Sequence, residues 1–263
     1  MLRIGIEGAA GRMGRRLAAL VAEAPDLQLV VALECDGHPE LGRDAGLLAG
    51  VGELGVPVTT SLDARPDVLI DFSAPQSTVA RAQECAQVGT ALVIGTTGLS
   101  PEQVAALEEA ATRVPCVLAP NMSVGVNVLA RLVKSAAQAL GPGFDIEVVE
   151  AHHRFKKDAP SGTALQLARA AAEGLRRELD DVAVYGRQGV TGERTPHEIG
   201  VHAVRAGDIV GEHTVLFGAL GERLELRHVA HSRDTFARGA LRAARFVAGK
   251  PPRLYSMHDV LGL

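Results

Sequence analysis

Short apolar runs alternate with amphipathic stretches along the first half of the chain. Helical spacing of apolar residues fills most of the intervals between these runs. Nearly continuous apolar strands that alternate with helices are typical of a parallel sheet covered by helices on both faces. The pattern therefore predicts an α/β, Rossmann-like domain whose strands are 2–7, 27–34, 67–73, 91–98 and 116–123.

Two of the intervening helices carry recognisable end signals. Gly89 follows a helical stretch and is a predicted helix stop. Ser100 fits an N-cap, Pro101 fits the first helical position, and Gln103 completes a capping box. These signals predict a helix that begins directly after Ser100.

The pattern changes after about residue 125, where strand-like runs follow one another with few helices between them. Successive strands with tight turns, here at Gly207-Asp208 and Gly221-Glu222, indicate a second domain of α+β class with a mixed, mostly antiparallel sheet. The final helix, 234–249, is expected to return to the first domain. The other predicted elements are helix 127–140, strand 144–153, a helix from Ser161, and strands 197–205, 208–218 and 222–231.

Composition excludes several classes of protein. A chain of 263 residues that is 47% hydrophobic and 22% charged is expected to be globular, with one or two domains. A net charge of −4 gives no indication of a nucleic-acid partner, and no apolar run is long enough to predict a membrane partner. The amino end reads as folded structure rather than a signal peptide. Three separated cysteines predict reduced thiols in a cytoplasmic protein and no metal site.

Gly8, Gly11 and Gly14 lie between the first strand and the first helix. Glycines there let the backbone approach a pyrophosphate, to which helix N–H groups point, although they could equally serve packing alone. Glu34 ends the second strand about 20 residues further on, where an acidic residue binds ribose hydroxyls. The stretch 95–98 ends another strand at the same edge. Together these features predict a dinucleotide site. Arg12 could contact the phosphates there, or it could form a surface salt bridge instead.

The residue after Glu34 bears on the choice of cofactor. A 2′-phosphate requires an arginine near this position, and the carboxylate of Glu34 repels it. Cys35 stands there instead. The sequence therefore favours NADH, with NADPH as the alternative because Arg12 or Arg43 could reach the same place.

The stretch EAHHRFKKDAPSGTA, residues 150–164, concentrates polar chemistry. Neighbouring side chains on a strand point to opposite faces, so His152 and His153 are expected to face different ways. Ser161 fits an N-cap, and the first N–H groups of the following helix can bind a carboxylate. Lys156 can supply a positive charge or a proton. The stretch predicts a site that binds and protonates an acidic substrate, although each residue alone also fits a structural or solvent-exposed role.

The same stretch resembles the signature of the dihydrodipicolinate reductase family, whose members reduce 4-hydroxy-tetrahydrodipicolinate in bacterial lysine and diaminopimelate synthesis. The resemblance extends along the whole chain, in family order. Other segments that carry it are IEGAAGRMG, DFSAP, IGTTGLS, APNMSVGVN, VRAGDIVGEHTVLF and GERLELRHVAHSRDTFARGAL.

This resemblance implies a dinucleotide-binding domain over 1–125 and 234–263, and a substrate-binding and tetramerisation domain over 126–233. It also implies a homotetramer, a small dicarboxylate substrate and reduction to 2,3,4,5-tetrahydrodipicolinate with NADH or NADPH.

The resemblance further implies roles for individual residues. Those expected at the catalytic centre are His152 and Lys156, and those expected to contact substrate are His153, Ser161, Gly162 and Thr163. Those expected at the cofactor are Gly8, Ala9, Ala10, Gly11, Arg12, Met13, Glu34, Gly95, Thr96, Thr97, Ala119, Pro120, Asn121 and Met122.

The chain departs from the family pattern at two positions. Cys35 stands where many members have an arginine, which again disfavours NADPH, and Phe155 stands where some have a histidine. Two alternatives remain: an amino-acid dehydrogenase of the aspartate type, and a non-catalytic protein that senses NAD. Neither would require the stretch HHRFKKDAPSGT.

Overall fold

The computed structural model describes all residues, 1–263, and the chain divides into two compact units. Unit 1 comprises Met1–Val124 and Asp234–Leu263, and unit 2 comprises Gly125–Arg233. The domain limits expected from the sequence lie within one residue of this division. No helix is both long enough and apolar enough to cross a membrane.

Unit 1 contains a seven-stranded sheet in the order β12-β6-β5-β4-β1-β2-β3, and every pairing in it is parallel. This confirms the predicted Rossmann-like class. Its strands are β1 (Leu2–Glu7), β2 (Leu27–Leu33), β3 (Val58–Thr59), β4 (Val68–Asp71), β5 (Ala91–Ile94), β6 (Cys116–Leu118) and β12 (Leu254–Tyr255). Its helices are α1 (Arg12–Glu23), α2 (Ala45–Ala49), α3 (Pro75–Val88), α4 (Pro101–Ala110), α8 (Asp234–Val247) and α9 (Met257–Leu261).

Helices cover both faces of this sheet because both faces are apolar. Ile4 and Ile70 pack on the side of α1 and α8, and Leu69 and Leu92 pack on the side of α3 and α4. The predicted return of the last helix to this unit is confirmed, since α8 packs against β4, β5 and β6. The helix signals at Gly89, in left-handed conformation, and Ser100, with a complete capping box, are also confirmed.

Unit 2 contains a five-stranded sheet in the order β11-β10-β7-β9-β8. The predicted mixed, mostly antiparallel sheet is confirmed, because its two antiparallel ladders pair more residues than its two parallel ones. Strand β10 is antiparallel to β7 and β11, whereas β9 is parallel to β7 and β8. The strands are β7 (Asp145–His152), β8 (Ala183–Tyr185), β9 (Ile199–Arg205), β10 (Gly211–Ala219) and β11 (Glu222–Ala230), and the helices are α5 (Val124–Leu140), α6 (Gly162–Gly174) and α7 (Leu179–Val182), with a 3₁₀ turn at Gly141–Gly143.

One face of the unit 2 sheet packs on α5 and α6 through a core that includes Val133, Val148, Leu167 and Phe217. This face continues along β7 to Glu150 and His152, because side chains two residues apart on a strand share a face. The apolar core therefore ends in a polar cluster at the carboxyl end of β7.

Glu147 lies on the opposite face of β7 and holds the irregular segment 186–198 to the sheet. Its Oε1 accepts from Arg187 Nη2 (2.7 Å) and Arg194 Nε (2.9 Å), and its Oε2 lies 2.7 Å from His202 Nε2. Burial alone would raise the pKa of Glu147, but the hydrogen bonds from these partners outweigh it and lower the pKa to about 2. The carboxylate is therefore ionised at neutral pH and keeps its partners in place.

Candidate active site

The glycine loop between β1 and α1 is as tight as a pyrophosphate cradle requires. Gly8 has a φ of +77°, and its N–H and that of Ala9 both donate to Leu33 O (3.0 Å each). A Cβ on Gly14 would lie 2.1 Å from Gly8 O, so α1 packs directly on the loop. Gly11, the N-cap, has no side chain to occupy the first helical N–H groups. The loop therefore fits a dinucleotide, whose pyrophosphate would lie on these N–H groups.

Glu34 lies beside this loop, as predicted. Its Oε1 accepts a hydrogen bond from Ala10 N–H at 2.9 Å. Cys35 is exposed, and Arg43 is paired with Glu40. Arg43, which sequence reasoning offered for a 2′-phosphate, is therefore already engaged, whereas Arg12 is exposed.

Asp71, which sequence reasoning missed, joins the segments that follow β4 and β5 at the predicted cofactor edge. Its Oδ1 accepts from Ser73 N–H (2.8 Å), Ser73 Oγ (2.6 Å) and Thr96 Oγ1 (3.1 Å). Gly95 N–H donates to Asp71 O at 2.9 Å, and a Cβ on Gly95 would lie 2.3 Å from the Phe72 ring. Asp71 therefore places the start of the 95–97 segment, of which Thr97 is exposed.

The segment after β6 forms the next part of this edge. Ala119 N–H donates to Ile94 O at 3.1 Å, and Asn121 Oδ1 accepts from Ser123 N–H at 2.8 Å. Met122 is buried beneath α8, where a Cβ on Gly239 would lie 1.7 Å from Met122 O. Pro120 is exposed. The predicted cofactor residues of unit 1 thus lie together at the carboxyl edge of one sheet. Some of their side chains are buried in the core rather than exposed at this edge: Met122, Ala9 and Ala10 are buried, and Met13 is partly buried.

In unit 2, His152 is oriented by Glu150. His152 Nδ1 lies 2.6 Å from Glu150 Oε2. Because an ionised carboxylate only accepts hydrogen bonds, Nδ1 carries the proton and Nε2 is the ring nitrogen left for chemistry. Gly211 leaves room there, since a Cβ on it would lie 3.1 Å from Nε2. Burial lowers the pKa of His152, and the Glu150 carboxylate offsets this only in part, so His152 is neutral at pH 7.

Glu150 is fully buried and completely satisfied. Arg205 binds it through two nitrogens, Nη1 to Oε2 and Nη2 to Oε1, both at 2.8 Å, and Ser161 N–H donates to Oε1 at 3.0 Å. Burial would raise the pKa of Glu150, but the hydrogen bonds from Arg205, His152 and Ser161 lower it overall. The Glu150 carboxylate is therefore a fixed anion that orients the His152 imidazole through Nδ1.

His213 is the most deeply buried histidine of this cluster and contacts both Ser161 and His152. It is 4% exposed, its Nε2 lies 3.2 Å from Ser161 Oγ, and its ring stands edge-on to His152 at 5.2 Å. Burial, followed by the charge of His152, lowers the pKa of His213 to about 4. His213 therefore stays neutral and supports its neighbours without carrying charge.

Lys156 lies in the turn that follows β7. Its side chain is 21% exposed, and its Nζ pairs with Asp158 Oδ1 at 2.9 Å. Its charge is among the causes that lower the pKa of His152, which places it at the same centre. Lys157, by contrast, is exposed. Of the two adjacent lysines, only Lys156 belongs to the cluster.

His153 faces away from His152, as strand alternation predicted. Its Nε2 lies 3.3 Å from Arg233 Nη2, its Nδ1 is buried without a partner, and its ring lies 6.3 Å from that of Phe155. His152 instead contacts Glu150 and His213. The two histidines therefore have different surroundings and cannot share one role.

Ser161 caps α6 as predicted, with its Oγ accepting from Ala164 N–H at 3.2 Å. It is 2% exposed, and both its N–H and its hydroxyl are engaged inside the cluster. Gly162 is exposed, with open space where a Cβ would stand, and Thr163 is partly exposed. The exposed part of this helix start is therefore Gly162, with Thr163 partly exposed beside it.

Comparison with known proteins decides the family. The model of the N-terminus of dihydrodipicolinate reductase matches residues 2–122, and the model of its C-terminus matches residues 125–261. The chain belongs to the dihydrodipicolinate reductase family. As a member it is an oxidoreductase that uses a pyridine nucleotide.

Family relatives match from end to end. The 4-hydroxy-tetrahydrodipicolinate reductase of Syntrophotalea carbinolica is 53% identical over 100% of both chains, and that of Alkalilimnicola ehrlichii is 55% identical over 99% of both. A dipicolinate-bound dihydrodipicolinate reductase from Paenisporosarcina sp. TG-14 is 27% identical, with a TM-score of 0.78 over 98% of both chains. An amine dehydrogenase from Mycobacterium smegmatis shares the fold, with a TM-score of 0.64 at 14% identity.

Sequence reasoning about this reductase missed the residues that orient the predicted ones, namely Glu150, Arg205, His213 and Arg233. A signal existed only for Glu150, because a carboxylate two residues before His152 on a strand shares its face. Arg205 lies on β9 and His213 on β10, so their contacts depend on strand pairing, and Arg233 lies 80 residues from His153 along the chain.

Proposed function

We propose that this chain reduces 4-hydroxy-tetrahydrodipicolinate to 2,3,4,5-tetrahydrodipicolinate with a pyridine nucleotide, in the diaminopimelate route to lysine. The observation that carries the proposal is the Glu150–His152 pair, held by Arg205 beside Lys156 and the open start of α6. One hydride and one proton are added to the substrate and one water leaves, so the site has to deliver a proton.

Each group in unit 2 has a distinct part in this reaction. A bound NADH or NADPH would supply the hydride from C4 of its nicotinamide. Lys156 supplies the proton, and His152 Nε2, which is unprotonated in the neutral ring, accepts it and relays it to the substrate. Glu150 holds the His152 ring in the tautomer that leaves Nε2 available for this. The Gly162 and Thr163 N–H groups bind a substrate carboxylate at the positive end of α6, with His153 as a further contact and Ser161 holding the helix start.

The direct test is oxidation of NADH and NADPH, side by side, with substrate made in place from pyruvate and aspartate semialdehyde by the preceding synthase. We expect rapid oxidation that depends on both precursors. Dinucleotide binding without oxidation would contradict the proposal and favour a sensor. Reduction of NAD with L-aspartate instead would identify an amino-acid dehydrogenase.

We also propose that NADH is preferred over NADPH. The carboxylate of Glu34 lies at the loop, Cys35 offers no charge to a 2′-phosphate, and Arg43 is held by Glu40. The exposed Arg12 is the cation left to compensate. NADPH binding is therefore the weaker of the two on electrostatic grounds.

Substituting Cys35→Arg should improve kcat/KM for NADPH by about tenfold, because a guanidinium then stands where a 2′-phosphate would lie. The value for NADH should change little. The matched control is Cys35→Ser, which alters the same exposed position without adding charge. If both variants treat NADPH alike, position 35 has no part in selecting the cofactor.

We further propose that copies of this chain form a cytoplasmic homotetramer through the face of the unit 2 sheet opposite α6. Val149 and Leu216 on that face are only partly buried within one chain, and Val204 is 46% exposed. The three cysteines are unpaired, as a reducing compartment requires. A molar mass below four chains in light scattering would exclude the tetramer.

A further inference from the structure

Glu7 is a buried carboxylate directly beneath the glycine loop. It is the last residue of β1, it immediately precedes Gly8, and it is only 3% exposed. Its in-register neighbour on β4 is Asp71, which is 1% exposed. Neighbouring parallel strands run about 4.8 Å apart, and paired residues share a face, so two buried carboxyl groups lie side by side at the cofactor edge of the sheet.

The two carboxyl groups are not fully neutralised by nearby positive charge. Arg81 Nε donates to Glu7 Oε2 at 2.8 Å, but Arg81 Nη1 donates to Glu84 Oε2 at 2.5 Å and its Nη2 to Thr60 O at 3.2 Å. One guanidinium is therefore shared between two carboxylates. It keeps Glu84 as a partner when Glu7 is neutral.

Asp71 leaves one buried oxygen without a partner. Its Oδ1 takes all the hydrogen bonds from Ser73 and Thr96, and its Oδ2 is buried with none. A buried carboxylate oxygen without a donor is costly. A protonated Glu7 on the adjacent strand carries the O–H group that this oxygen lacks.

Burial favours the protonated form of Glu7. Burial raises the pKa of Glu7 to about 7, against the opposing effect of Arg81 and with help from Asp71 and Glu34. Glu7 therefore titrates near neutral pH before any ligand binds. The titratable and charged groups that face it are Arg81, Glu84 and Cys85 on α3, Asp71 on β4, and Glu34 after β2.

The glycine loop connects this carboxyl group to the cofactor. Gly8 lies against the strand end beyond Asp71, where its Cβ position is 3.0 Å from Phe72 O, and Glu34 is bonded to Ala10 N–H. A pyrophosphate in this loop adds two negative charges above carboxylates that are already crowded. We propose that Glu7 takes up a proton when the pyridine nucleotide binds, so that the affinity for NADH falls as the pH rises through neutrality. The inference rests on the proposed dinucleotide role of this loop.

The sign follows from linkage. Bound negative charge stabilises the protonated carboxyl group, so the pKa of Glu7 rises on binding. Below the pKa of the free protein Glu7 is protonated in both states and the Kd is constant; between the two pKa values the Kd weakens with pH. For each unit by which binding raises the pKa of Glu7, the Kd can change with pH by at most tenfold. We expect the Kd for NADH to weaken by about three- to tenfold between about pH 6.5 and pH 8.5.

The test is direct binding, followed by NADH fluorescence across that pH range and by calorimetry in buffers of different protonation enthalpy. The wild type should take up a fraction of a proton per NADH near pH 7.5. Glu7→Gln should bind with no such uptake and with a nearly constant Kd. The matched control, Glu53→Gln, alters an exposed glutamate of the same unit and should behave as the wild type.

A second variant allows the inference to be tested even if Glu7→Gln does not fold. Glu84→Gln changes a side chain that is 40% exposed and leaves Glu7 as the one carboxylate bonded to Arg81, so the pH midpoint of the Kd profile should move to lower pH. A constant wild-type Kd, a pH dependence that persists in Glu7→Gln, or an unmoved midpoint in Glu84→Gln would each overturn the inference while NADH still binds. Absence of NADH binding at every pH would instead overturn the proposed function.

Discussion

Replacing Lys156 by alanine should lower kcat for the reduction by about 10²- to 10⁴-fold, the range expected when a positioned proton donor is lost. The side chain is only 21% exposed, and it contributes to the electrostatics of His152. The Kd for NADH should be unchanged, because Lys156 lies in unit 2 and the predicted dinucleotide loop lies in unit 1. Steady-state kinetics with NADH and a fluorescence titration of NADH separate the two quantities.

The chain supplies a matched control for this prediction. Lys157→Ala removes the same charge from the next residue, which is exposed, and should leave kcat near that of the wild type. Lys156→Arg keeps the charge, but a guanidinium does not release a proton near neutral pH. Recovery of turnover in Lys156→Arg would indicate a role for charge alone, and near-normal turnover in Lys156→Ala would exclude Lys156 from the chemistry.

Replacing Glu150 by glutamine should lower the free energy of unfolding by about 3 kcal/mol and also lower kcat by about 10²-fold. The stability effect arises because Arg205 loses the buried carboxylate that it binds through two nitrogens. The effect on kcat arises because an amide can present its NH₂ group to His152 Nδ1 and no longer selects the tautomer with Nε2 available. Urea unfolding and steady-state kinetics measure the two effects separately.

The pH dependence of this stability effect has a definite sign. The pKa of Glu150 in the folded protein lies below its ordinary value of 4.5, so its contribution is fully present above that pH. The contribution is lost as the pH falls through the folded pKa, so the unfolding free energies of wild type and Glu150→Gln should converge in acid. Glu173→Gln, which breaks an exposed pair with Lys134, should change stability by less than about 1 kcal/mol at any pH. An equal loss in both variants would mean that burial of Glu150 is not the cause.

The local pattern of the sequence was sufficient for the elements that carry the site. Apolar runs located β1, β2 and β7, the capping box at Ser100 located the start of α4, and Gly89 located the end of α3. These features depend on residues within one turn or one strand of each other. The two-residue strands β3 and β12 were missed because so short a run has no periodicity to detect.

The mixed sheet of unit 2 was predicted, but the parallel partners of β9 have no signal in the local sequence. Tight turns at Gly207 and Gly221 indicate that neighbouring runs reverse direction, and β10 and β11 do so. The partners of β9 are not adjacent to it across such a turn, since it pairs in parallel with β7 and β8. Parallel pairing between strands joined by a long connection leaves no local signal in the strands that take part in it.

The sequence by itself determined which chemical groups this protein possesses and which short-range geometry they adopt: the glycine loop, the opposed faces of His152 and His153, and the cap at Ser161. The tertiary structure alone decided what those groups contact. It placed Arg205 on Glu150 across 55 residues, and His213 on Ser161 across 52. It also set Asp71 beside Glu7 through strand register. Such contacts arise when distant strands pair, and the burial and partners that set the pKa values of Glu7, Glu150 and His152 exist only once that pairing has formed.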